Sequence, residues 1–204
     1  MASQAAERFI HDPAAWADPG RAAALLVPGL SAATAERLLA SPRLAARASR
    51  LLAERLGWGD VAMLQPVDLA LAGADGAMLE SVALAAGAVW HARRVCALVL
   101  GADIAVLCAR LGDETRRAAL RHMTLAPVAA SADRTPADDP NALVADIECD
   151  GARCMAAWTD ALPGWAASRV QLKWPHRSDP PEDDVVRASA VRIVRAVAAE
   201  AGLP

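Results

Sequence analysis

Three features of this 204-residue chain predict an all-α fold. Alanine dominates the composition, and alanine is the best helix former and a poor strand former. Aromatic residues reach only 3%, with six Trp, one Phe and no Tyr, so strand-favouring side chains are scarce. Apolar residues recur at helical spacing between Ser, Asp or Pro starts and Gly stops. With 55% hydrophobic residues the chain can bury a sizeable core, and a single compact helical domain over 1–204 is expected.

At the N-terminus, ERFIHDPAAWAD carries Phe9, Ile10 and Trp16 as anchors. Pro13 interrupts any helix there, which predicts a short docked segment or two helical turns. A short helix follows over 31–40, capped by Ser31. The next has Ser41 as its cap, Pro42 in the first turn and Gly57 past its end. Leu44, Ala48, Leu51, Leu52 and Leu56 make its apolar face, and Arg43, Arg47, Arg50 and Glu54 cover the other. Residues 58–75 read as a connection, with a helix after Pro66.

From Ala77 a long apolar block reads as successive helices broken at Gly101 and Gly112. Asp103 and Asp113 are placed to cap the helix after each break, and Leu84, Val89, Val95, Val99, Ile104, Leu107 and Leu111 are the expected core. VAASADRTPADDPNA, at 128–142, has no apolar period and reads as a flexible loop. A helix is expected over 145–162, with Met155 and Trp158 inward and a Pro163-Gly164 turn behind it. SRVQLKW, at 168–174, alternates with a period of two; a minor extended segment or a helix end both fit. A second flexible loop at 176–183 precedes a final amphipathic helix over 184–201, with Val186, Ile193, Val194 and Val197 on one face.

A net charge of −3 and a pI near 5.8 argue against a nucleic-acid partner. No secretory leader and no run of about 20 apolar residues is visible, so no direct membrane insertion and a cytoplasmic location are expected. Cys96, Cys108, Cys149 and Cys154 include no Cys-x-x-Cys pair and read as reduced structural thiols. A zinc site from Cys149, Cys154 and His176 is the weaker alternative. Lys173 is the sole lysine among 21 basic residues.

Catalytic, cofactor and metal motifs are not found. Gly57-x-Gly59-x-x-Ala62 follows a helix rather than a strand, so it lacks the context of a dinucleotide loop. His91 interrupts an apolar helix, and a structural histidine bonded to a carbonyl or carboxylate is the favoured reading over a general base. No enzyme, no cofactor and no metal are therefore expected. Arg93 and Arg94, and then Arg116, Arg117 and Arg121, form basic clusters on helices. They read either as solvated faces or as docking surfaces for an acidic partner. Trp16, Trp165 and Trp174 lie near element ends, where an exposed Trp would anchor an interface.

These residues resemble the SctK family of type III secretion, the YscK/PscK, MxiK and OrgA group. Arg8-Phe9 with Pro13-Ala14-Ala15-Trp16 is similar to the family opening. Ala88-Val89-Trp90-His91, then Val99-Leu100, Asp103-Ile104, Leu107 and Glu114-Thr115-x-Arg117, keep the order of its centre. Ala156-Ala157-Trp158 and the stretch from Trp165 to Pro175 resemble its C-terminal part. The resemblance implies a non-enzymatic cytosolic adapter of the injectisome sorting platform, at the cytoplasmic face of the inner membrane. It implies two direct partners, the cytoplasmic domain of an SctD-like ring protein and an SctQ-like pod protein, and indirect links to SctL and the SctN ATPase. Two other readings stay open from the residues: a helical enzyme or ligand-binding domain using His91 and a cysteine, and a generic helical chaperone or regulatory partner.

Overall fold

The computed structural model describes residues 2–127, 139–174 and 178–202. In chain order its helices are α1 (Ala2–His11), α2 (Pro19–Leu26), α3 (Ala32–Ala40), α4 (Pro42–Leu56), α5 (Pro66–Gly73) and α6 (Gly76–Trp90). They continue with α7 (Ala92–Ala97), α8 (Gly101–Leu111), α9 (Asp113–Arg121), α10 (Pro140–Asp160), α11 (Gly164–Lys173) and α12 (Asp184–Glu200). Single 3-10 turns stand at Pro13–Ala15, Val61–Met63 and Met123–Leu125. No strand occurs among the described residues, and the fold is all-α.

Proline sets many of the starts. α2, α4, α5 and α10 each carry proline in the first turn, where the missing N–H costs no hydrogen bond. Asp18, Asp139 and Asp183 cap α2, α10 and α12 through their carboxylates, and Ser31 caps α3 through its hydroxyl. Ser41 occupies the cap position of α4 without a side-chain bond. Gly57 and Gly112 end α4 and α8 at φ 80° and 85°, a left-handed conformation that glycine adopts without strain.

Two expected caps are corrected. α8 begins at Gly101 itself, behind Leu100, which leaves Asp103 inside the first turn. Gly112 both closes α8 and precedes α9, so Asp113 is already helical. Both carboxylates still face the positive end of their helix. α10 starts at Pro140 rather than near 145, because Asp139-Pro140 supplies cap and first turn together. Of the two expected loops, 128–138 and 176–177 lie outside the described residues.

The chain divides into two compact units. The first takes residues 1–76, 162–175 and 203–204; the second takes 77–161 and 176–202. The first unit therefore contains α1 to α5 and α11. Ala14, Ala22, Leu26, Ala48, Leu52, Leu56 and Leu172 form its main apolar cluster. Leu44 and Leu51, expected inside, are 43% and 39% exposed, because only the arc of α4 through Ala48, Leu52 and Leu56 is covered.

α11 corrects the extended alternative for 168–174, since the whole stretch up to Lys173 is helical. The period of two misleads because two of the intervening polar residues, Arg169 and Lys173, are also inside, while Gln171 is exposed. Arg169 is 0% exposed and Lys173 is 7% exposed, and both reach backbone carbonyls within this unit, although Arg169 Nε is buried without a hydrogen-bond partner. Arg169 donates from Nη1 to the carbonyls of Gly57 at 2.7 Å and Trp165 at 3.1 Å, and from Nη2 to that of Ile10 at 3.4 Å. Lys173 donates to the Ala72 carbonyl and, at 2.5 Å, to the Ala74 carbonyl. Its Nζ lies 5.2 Å and 5.3 Å from the centres of the Phe9 and Trp16 rings. Phe9 stacks on Trp16 at 5.7 Å and meets Trp165 at 6.2 Å. Among the tryptophans considered as anchors, Trp174 is buried and Trp16 and Trp165 are half-buried. Trp58 is the exposed one, at 58%.

The second unit contains α7 to α10, α12 and all but the first residue of α6. Ala88, Ala92, Val95, Leu107, Leu111, Leu143, Val144 and Ile147 belong to its core, and Leu84 packs at its edge. Val89 is buried as expected, whereas Val99 is 85% exposed in the short link between α7 and α8, and Ile104 is half-buried.

Candidate functional site

From Val82 to Trp90 α6 is apolar on every side, and nine of its 15 residues are buried. A helix surrounded in this way can approach a neighbour closely only where side chains are small. A Cβ on Gly87 would stand 2.0 Å from the Ile147 carbonyl oxygen of α10. A Cβ on Gly151 would stand 2.2 Å from the Ala83 carbonyl oxygen of α6. The two backbones therefore touch at a pair of glycines, and this crossing positions His91, one turn beyond Gly87.

At His91 the helix breaks between α6 and α7, and the ring is 3% exposed. Its Nε2 lies 2.8 Å from Oδ2 of Asp150 on α10. A proton on Nε2 serves that carboxylate and leaves Nδ1 to accept from Arg94 Nη1 at 3.4 Å. Arg94 also donates to Asp146 at 2.7 Å, and Arg153 donates to Asp150 at 3.1 Å. Burial pushes the Asp150 carboxyl up, but hydrogen bonding and charge from His91, with Arg153 behind them, hold it below the usual range.

Such a cluster resembles a base and its orienting acid, and the missing partner is a nucleophile. Cys154, one turn along α10 from Asp150, is buried, and burial pushes its thiol up, with the Asp150 charge adding to the effect. It stays protonated at neutral pH, so the arrangement suits a lock between α6, α7 and α10 better than a reaction centre. Because the folded Asp150 binds its proton less readily than an unfolded aspartate, its contribution is present above about pH 4 and fades as pH falls further. Asp150→Asn keeps an acceptor for His91 but loses the charge. It is expected to cost about 1 to 2 kcal/mol at pH 7. In urea melts the gap to the parent should narrow on acidification, and a gap constant with pH would remove this account of Asp150.

The arginine clusters separate into paired and unpaired residues. Arg94 is half-buried in the lock. Arg117 pairs with Asp113 and, at 3.3 Å, with Glu114. Arg121 bridges Glu114 at 2.6 Å and Glu200 at 2.8 Å, which ties α9 to α12. The Glu114 carboxyl is held low, first by its hydrogen bond from Arg121. Arg93 is exposed and Arg116 half-buried, and among the described residues neither has a carboxylate partner. Glu114, Arg121 and Glu200 also rim a cleft of about 360 Å³ with Met78, Val82 and Val197 on its apolar side.

Cys149 is exposed and Cys154 buried, so these two face apart on α10, and His176 lies outside the described residues. Among the described residues no group of three His, Cys, Asp or Glu is placed to hold a metal ion. No helix of the described residues is long and apolar enough to cross a membrane. Sequence reading missed Asp150 because it lies 59 residues from His91. It missed the glycine crossing because a glycine in an alanine-rich helix carries no period of its own.

Two curated nodulation proteins, NolU from Rhizobium fredii and NolU from Sinorhizobium fredii (strain NBRC 101917 / NGR234), are each 37% identical to the chain over 168 residues. The match covers 79% of the chain and 72% of each relative. The chain belongs to the NolU family. No family model matches it, and no solved structure does. In this NolU-family chain the residues that resemble SctK are largely packing and locking residues. Phe9, Trp16 and Trp165 surround Lys173 and Arg169 in the first unit. In the second, His91 closes the lock and Thr115 bonds the Leu111 carbonyl at 2.7 Å.

Proposed function

We propose that the chain is a non-enzymatic type III secretion protein, an adapter of the sorting platform that joins an SctD-like ring protein to an SctQ-like pod protein. The NolU relationship supports a type III secretion-associated protein. The SctK-like order of residues from Ala88 to Arg117 supports the finer role. The observation that carries the non-enzymatic part is the state of His91: 3% exposed and bonded to Asp150, with the buried, protonated thiol of Cys154 one turn along α10 from that aspartate. A scaffold locked from inside can present its surfaces in fixed geometry, as a bridge between two partners needs.

Docking through the arginines near 93 and 116 is part of this reading. Arg93 and Arg116 offer charge to an acidic partner, whereas Arg94, Arg117 and Arg121 are engaged within the chain. Co-purification with the SctQ-like and SctD-like proteins of the same genome tests the adapter role. Complexes with both are expected, weakening as salt rises. A folded chain that captures neither, with micromolar affinity within detection, would defeat it. Charge reversal at Arg93 and Arg116 is expected to reduce assembly severalfold while leaving the helical circular dichroism unchanged. Full assembly by that variant would show that this arginine surface is not the docking face.

A further inference from the structure

α4 carries a second basic surface of a different kind. Arg43, Arg47 and Arg50 stand at intervals of four and three residues, so they form one stripe along the helix. All three are exposed, and among the described residues none has an ion pair. Glu54 continues the stripe at its far end, yet no ion pair joins it to Arg50 among the described residues. Leu44 and Leu51, 43% and 39% exposed, run beside the arginines one step round the helix. The opposite arc, with Ala48, Leu52, Ala53 and Leu56, is buried and fixes the helix in place.

Nothing among the described residues favours this arrangement. Arginines at these spacings repel one another, and Arg43 in the first turn opposes the positive end of the helix dipole. On α9 the situation is reversed, because Arg117 and Arg121 are each matched by two carboxylates. The chain has acidic residues in excess, 24 against 21 basic, yet α4 shows three arginines without ion pairs beside two exposed leucines. We propose that the exposed face of α4 docks an acidic amphipathic segment of a partner protein, its carboxylates on Arg43, Arg47 and Arg50 and its apolar residues on Leu44 and Leu51. Bidentate arginine–carboxylate contacts set the register, and the leucines supply desolvated area. A protein segment fits better than an anionic membrane, because the apolar component is two half-exposed leucines rather than a broad apolar face with aromatic residues.

This surface lies on the first unit and the arginines near 93 and 116 on the second, and its test needs no secretion partner, so failure of the adapter reading shows elsewhere. The probe is a labelled helical peptide with glutamates at intervals of four and three residues and leucines beside them. It is titrated by fluorescence anisotropy against the full chain, with a composition-matched scrambled peptide alongside. Saturable, salt-sensitive binding is expected, about tenfold weaker for the scrambled peptide and for R43E/R47E/R50E, and unchanged for R93E/R116E. The side chains substituted in R43E/R47E/R50E are exposed, and circular dichroism of each variant confirms the fold. No binding, equal binding of the scrambled peptide, or an unaffected triple variant would overturn the proposal. Flotation with phosphatidylglycerol vesicles forms the second arm. Vesicle binding that needs the three arginines, without peptide binding, would replace the protein segment by a lipid surface and equally overturn it.

Discussion

Gly87→Ala is expected to destabilise the chain by about 2 to 3 kcal/mol, although alanine is intrinsically the better helix residue by about 1 kcal/mol. The added Cβ would meet the Ile147 carbonyl oxygen at 2.0 Å, and that atom is backbone in the middle of a 21-residue helix. A flexible side chain could swing aside, but here α6 and α10 must separate along their crossing. Separation loosens the packing of Ala83, Ala88 and Ile147, and it stretches the 2.8 Å contact between His91 and Asp150. Thermal melting should fall by roughly 10 °C. Gly151→Ala should act alike, since its Cβ would meet the Ala83 carbonyl at 2.2 Å. The double variant should cost less than the sum, because one separation of the helices relieves both clashes. Gly101→Ala is the control: nothing lies within 4 Å of its Cβ position, and no loss is expected. Melting of Gly87→Ala at or above the parent temperature would falsify the close crossing.

Lys173 governs a second large effect, this time as a function of pH. Burial pushes its amine down to about 7, opposed by the charge of Asp75. Below pH 7 the amine is charged in both folded and unfolded chains, and the full cost of burying that charge is present. Between about 7 and 10.5 the unfolded chain holds a proton that the folded one releases, so stability rises with pH. Above 10.5 both are neutral and the cost is gone. The ceiling of this rise is roughly 5 kcal/mol at 1.36 kcal/mol for each pH unit of displacement. The Phe9 and Trp16 ring faces favour the charged form by about 1 kcal/mol each, which leaves about 3 kcal/mol. A neutral amine still has hydrogens for both the Ala72 and Ala74 carbonyls, so the site survives deprotonation. Urea melts at pH 7 and at pH 10 should show this gain in the parent and lose it in Lys173→Met. Equal slopes for the two proteins would sink the assignment.

Local chemistry made part of this fold legible in advance. The Ser41-Pro42 start and Gly57 end of α4 were readable because cap, first-turn proline and left-handed glycine each act within a few residues. The same holds for Ser31 before α3. Burial was less legible. Leu44, Leu51 and Val99 fit a helical apolar period and are exposed, since the period says that a face exists without saying that anything covers it. α11 misled in the opposite way: Arg169 and Lys173 are polar and buried, so polarity did not mark the outside. At the candidate site the structural reading of His91 anticipated a carboxylate or carbonyl, but the identity of Asp150 is a long-range fact. The difference between Arg93 or Arg116 and the paired Arg94 and Arg121 was equally hidden. It depends on Asp146 and Glu200, which come from other helices, whereas Arg117 pairs with Asp113 and Glu114 of its own helix.

The first unit is assembled from segments on either side of the second, and it takes α11 only after residue 161. On a ribosome, α1 to α5 emerge early and must wait, with the seat for Leu172 open and the carbonyls of Ala72 and Ala74 lacking their amine. The second unit waits longer still, because α12 follows α11 in the chain. Neither unit can close while its half of the chain is being made. Closure of each unit is thereby deferred until its late helix has been made, and a chain stalled or clipped before Lys173 leaves both units with exposed apolar seams for chaperones and proteases to recognise.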